Sequence, residues 1–93
     1  MASPPVSTSP RLMQFLADEA NEVGYIDVLL ARAEAAGQGK PAPSASGNAY
    51  NVVFGPQRIV IEHHYLTNWQ PLHIPREDFI VALRRWRAQL KPY

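Results

Sequence analysis

Leu12, Leu16, Glu19, Val23, Ile26, Leu30 and Ala33 follow one another at alternating intervals of four and three, the stripe of one long amphipathic helix. Ser9 suits its N-cap, and Pro10 suits its first turn, where a missing N–H leaves no bond unmade. Gly24 falls inside this stretch and costs about 1 kcal/mol relative to alanine, so a kink or a break is the alternative; the stripe runs on past it and favours continuity. Gly, Pro and Ser then crowd residues 37–47, which predicts a C-cap followed by a flexible connector. From Tyr50 the period becomes two. Tyr50, Val52 and Phe54 alternate with Asn51 and Val53, and beyond Gly55-Pro56-Gln57 a second run sets Ile59, Ile61, His63 and Tyr65 against Val60, Glu62 and His64. Thr67-Asn68 can turn the chain into a third strand from Trp69 to Ile74, short and at an edge because Pro71 lacks a ladder donor.

Pro75, Glu77 and Asp78 open a last helix, their carboxylates matching the positive end of its dipole, and Phe79, Leu83, Trp86 and Leu90 give its apolar stripe. The expected fold is therefore α+β: an N-terminal helix, a two- to three-stranded antiparallel meander and a C-terminal helix, with both helices packed on one face of the sheet. Residues 1–8, rich in Pro and Ser, read as a disordered leader, and 9–93 as a single domain.

At 93 residues the chain buries only about 60–65% of the surface it exposes when unfolded, so its core is thin and gains from a partner. Nine Lys and Arg against eight Asp and Glu exclude the strongly basic and strongly acidic classes of nucleic-acid protein, so any electrostatic signal must be local. The absence of cysteine removes disulfides, thiol nucleophiles and zinc ribbons. No basic-then-apolar leader and no stretch near 18 apolar residues is present, which predicts a cytoplasmic protein that does not engage membranes.

Chemistry-bearing motifs are few. His63 and His64 point to opposite faces of a strand and cannot share one metal ion, so no metal and no cofactor are expected. Ser44 and Ser46 lie outside any Gly-x-Ser-x-Gly frame, no phosphate-binding glycine loop occurs, and the chain reads as a non-enzyme. The strongest local signal is a basic ridge on the last helix. Arg76, Arg84, Arg87 and Lys91 fall in one sector beside the apolar stripe, where they could meet a protein partner or nucleic-acid phosphates, or lie solvated and paired with the acidic first helix. Tyr65 and Trp69, at the turn after the second strand, are the other candidate contacts, with a core-capping role as the alternative for Trp69.

The run Tyr50 to Phe54 and Ile59 to Glu62, then Leu72 to Phe79 and Ala82 to Trp86, resembles small bacterial immunity proteins of polymorphic or contact-dependent toxin systems. The likeness covers about half of the chain and lies in element order and apolar spacing. It implies a non-enzymatic inhibitor of one cognate toxin domain. A homodimer would use the same surfaces, and a small nucleic-acid-binding regulator working through the basic ridge is the alternative.

Overall fold

The computed structural model describes residues 9–90; the leader and Lys91 lie outside the described residues. Helices α1 (Pro10–Glu19) and α2 (Val23–Gly37) precede strands β1 (Ala45–Ser46), β2 (Tyr50–Phe54), β3 (Arg58–His63) and β4 (Leu72–Pro75), and helix α3 (Arg76–Gln89) closes the chain. The strands form one antiparallel sheet in the order β1-β2-β3-β4, one strand more than the meander expected from periodicity. The α+β class and the helices gathered on one face are as expected.

That face carries Tyr50, Val52 and Phe54 of β2, Ile59 and Ile61 of β3 and Ile74 of β4, all buried and in register across the sheet. Leu12, Phe15 and Leu16 of α1, Ile26, Leu29, Ala33 and Ala36 of α2, and Phe79, Ile80, Ala82 and Leu83 of α3 close over it. Every buried side chain among the described residues is hydrophobic, so burial and packing dominate the core, at about 25 cal/mol per Å² of apolar surface.

The single long helix is corrected. The chain breaks at residues 20–22, ahead of Gly24, and the two halves bury different faces: α2 turns Leu29 and Ala36 inward where the uninterrupted stripe placed Val23 and Leu30. The break is fixed from outside the helix. Ala20, its C-cap and fully buried, offers its carbonyl to the Trp86 indole N–H at 2.7 Å. Helix α2 ends in a paired-bond cap, with Lys40 N–H on the Ala35 carbonyl and Gly39 N–H on that of Ala36, and Gly39 takes the φ of 73° that this geometry needs. The expected connector then supplies β1, which pairs with β2 through Ala45 and Ser46.

Both sheet edges are blunted. β1 is two residues long and follows Pro41 and Pro43. On β4, Arg76 N–H bonds the Gln57 carbonyl, so by ladder alternation His73 and Pro75 face outward, and Pro75 has no N–H to give. With Pro71 ahead of the strand, the free edge of β4 offers the single N–H of His73, a poor template for strand addition.

Candidate functional site

The loop from His64 to Pro71 between β3 and β4 has the most exposed large apolar side chains of the described residues. Tyr65 is 73% exposed and Leu66 is 50% exposed. A loop of this length gains a defined shape only from bonds at its base, and His63 provides them. Its Nδ1 accepts the backbone N–H groups of Tyr65 and Leu66, both at 3.1 Å, so the ring proton of the neutral imidazole sits on Nε2. His64 N–H bonds the Ala49 carbonyl, and Trp69 N–H closes the tip on that of Leu66.

Trp69, half-buried, is the brace behind the tip. Its ring meets Tyr50 and His63, each at a centroid distance of 5.8 Å, and the Arg11 guanidinium lies 4.2 Å over it while donating to the Gln70 carbonyl. Tyr50 is the hub of this aromatic group, with Phe15 edge-on at 5.3 Å and His63 at 4.9 Å. The two aromatic residues singled out from the sequence thus belong to one loop in different roles: Tyr65 projects, and Trp69 packs against the core.

The Tyr50 hydroxyl donates to Asp18 Oδ2 at 2.8 Å. Burial, reinforced by that bond and by the charges of Asp18 and Glu19, pushes its phenol up to about 12. A raised phenol contributes stability that is complete below the ordinary tyrosine value of about 10 and disappears as pH climbs through the folded one. Thermal unfolding of the wild type, compared with Tyr50→Phe, checks this. The variant should lose about 1 kcal/mol at neutral pH, and the gap should close between about pH 10 and about pH 12.

Glu19, which the sequence places in an apolar stripe, supports the same corner. Its carboxylate accepts N–H bonds from Asn48 at 3.2 Å, Ala49 at 2.6 Å and Tyr50 at 3.1 Å, tying α1 to the β1–β2 turn. An acidic cleft of about 380 Å³ lies alongside, between Asp18, Glu22, Tyr25 and the turn. The Tyr25 hydroxyl is buried there without a hydrogen-bond partner among the described residues, and desolvation, then the Glu19 charge, raises its phenol.

The basic ridge is a helix clamp. Arg76 donates to the Pro56 and Ala33 carbonyls and to Glu77, with only 19% of its side chain exposed. Arg84 meets Glu34 at 3.1 Å, and Arg87 forks onto both oxygens of Asp27 at 2.8 and 3.3 Å, so both join α3 to α2. The Arg87 hydrogen bond holds the Asp27 carboxyl below its ordinary value, which stabilises the fold above that value and is lost as pH falls below it. Lys91, the fourth cation of the ridge, lies outside the described residues.

The His63 ring packs on Tyr50 and the His64 ring reaches Ser46, both touch Tyr65, and no group of three or more His, Cys, Asp or Glu among the described residues could hold a metal ion. His64 Nε2 lies 2.9 Å from Ser46 Oγ on the open face of the sheet, a hydroxyl–imidazole pair not apparent in the sequence. The amides next to that hydroxyl are engaged elsewhere. Gly47 N–H bonds the Tyr50 carbonyl and Asn48 N–H bonds Glu19, so neither is aimed to stabilise an oxyanion.

No family model, no curated protein and no solved structure matches this chain. No helix among the described residues is long and apolar enough to cross a membrane.

Proposed function

We propose that this chain is a non-enzymatic protein-binding module that grips its partner with the Tyr65–Leu66 tip, the partner being a cognate toxin domain neutralised in the bacterial cytoplasm. One observation carries the reading: two large apolar side chains are held out to solvent on a loop whose base is fastened by His63 and Trp69. A tip already held in shape loses little conformational entropy when it docks, and an aromatic side chain provides much contact area at two rotatable bonds. Toxin neutralisation is supported by the order of helix, antiparallel meander and closing helix on which the resemblance rests. Regulation of nucleic acid draws no support from this geometry, because Arg76, Arg84 and Arg87 are engaged within the molecule.

The test is co-expression with the protein encoded immediately upstream, scored by a co-eluting complex and by rescue of growth. Tyr65→Ala with Leu66→Ala should weaken that complex about a hundredfold or more, while the midpoint of thermal unfolding moves by no more than about 2 °C. Absence of both complex and rescue ends the toxin reading. A complex that tolerates the double variant places the interface elsewhere.

A further inference from the structure

We propose that His63 is a proton-operated latch on the binding tip: its neutral ring holds Tyr65 and Leu66 in their docking shape, and its protonated ring releases them. The proposal rests on the reading of the tip as a contact surface and adds its regulation. The His63 Nδ1 lone pair is the acceptor for both tip amides, each at 3.1 Å. A proton on that nitrogen turns the acceptor into a donor facing two donors, and a backbone N–H cannot reverse its own role. Both bonds are then lost together.

The ring's other contacts do not change with its charge in this way. Tyr50 from β2 at 4.9 Å, and Trp69 and Tyr65 from the loop at 5.8 and 6.2 Å, present aromatic surface that suits imidazole and imidazolium alike. The charges that reach this group from α1 are Arg11, stacked on Trp69, and Asp18, bonded to the Tyr50 hydroxyl; Glu62 precedes His63 and alternates to the other face of β3, and His64 follows it at the start of the loop. His64 is no second latch. Its Nε2 partner is the Ser46 hydroxyl, which donates or accepts as required, and its ring meets Tyr65 edge-on at 6.0 Å, aromatic surface that suits either charge state, so it gives up no tip amide on protonation. His73 stands exposed on the outer face of β4, away from the loop.

The experiment is nitrogen and amide-proton NMR on the full chain from about pH 8 to about pH 5, the interval in which imidazoles usually change charge, with the three histidines assigned separately. At the upper end the His63 ring should carry its proton on Nε2. As that ring titrates, the protection of the Tyr65 and Leu66 amides against hydrogen exchange, corrected for intrinsic rates, should fall about tenfold. His63→Asn keeps a side-chain carbonyl acceptor that does not titrate in this interval, so its tip amides should stay protected throughout. His63→Ala should leave them unprotected at every pH. A proton on Nδ1 at pH 8, or tip amides unmoved through the His63 titration, overturns the latch. With the partner in hand, acid should weaken wild-type binding and spare His63→Asn. A tip that loosens on schedule in a protein that binds no partner at any pH removes the contact surface and leaves the latch standing.

Discussion

Glu19→Ala should be among the most damaging substitutions in this protein, lowering stability by about 3 kcal/mol, because three backbone N–H groups lose a charged acceptor at one stroke. For a domain of this size that is a fall of about 12–24 °C in the unfolding midpoint. Glu19→Gln keeps one carbonyl oxygen and should recover part of the loss. Gly47→Ala should err in the same direction, since a Cβ there would sit 2.5 Å from Glu19 Oε2 and push the carboxylate off its amides. Chemical denaturation followed by circular dichroism decides the matter. A Glu19→Ala variant within about 0.5 kcal/mol of wild type would mean that water replaces the carboxylate at no cost.

Trp86→Ala should cost a comparable amount, about 3 kcal/mol, for a different reason. The indole fills space against the core and also bonds the Ala20 carbonyl that ends α1, so its loss both opens a void and leaves a helix end without its partner. Trp86→Phe separates the contributions: it retains most of the packing and should cost about 1 kcal/mol for the hydrogen bond. If the two variants were equally unstable, the packing share would be negligible. If Trp86→Phe matched wild type, the bond would not be what pins the break.

These residues mark where the sequence could and could not be read. The alternation from Tyr50 to Phe54 and from Ile59 to Tyr65 and the Pro75-Arg76-Glu77-Asp78 opening of α3 are local, and the observed β2, β3 and α3 follow them, except that β3 ends at His63, where the ring takes the Tyr65 and Leu66 amides. The break at 20–22 is not local. Its stabilising contact comes from Trp86, 66 positions away, and the residues on either side keep a helical stripe that hides it. β1 was likewise invisible, because Ala45 and Ser46 become a strand only by pairing with Val52 and Asn51.

The charged residues follow the same division. The spacing of Arg84 and Arg87 marks a basic sector and the acidity of the first helical stretch points to its partner, but which carboxylates stand opposite, Glu34 and Asp27 on α2, is settled only by the packing of the two helices. Glu19 did leave a trace. A carboxylate in an otherwise apolar stripe signals a buried-side role, and the three amides it accepts are that role. The bracing of Trp69 by Arg11 and the hold of His63 on the tip depend on loop geometry that no periodicity encodes.

The prolines beside β4 and the brevity of β1 carry a consequence for the proposed partner binding. With few main-chain groups open at either rim, discrimination under the proposed function would fall to the exposed side chains of residues 65–68. On that reading, a handful of codon changes between positions 65 and 68 would redirect the contact while the framework beneath stays untouched.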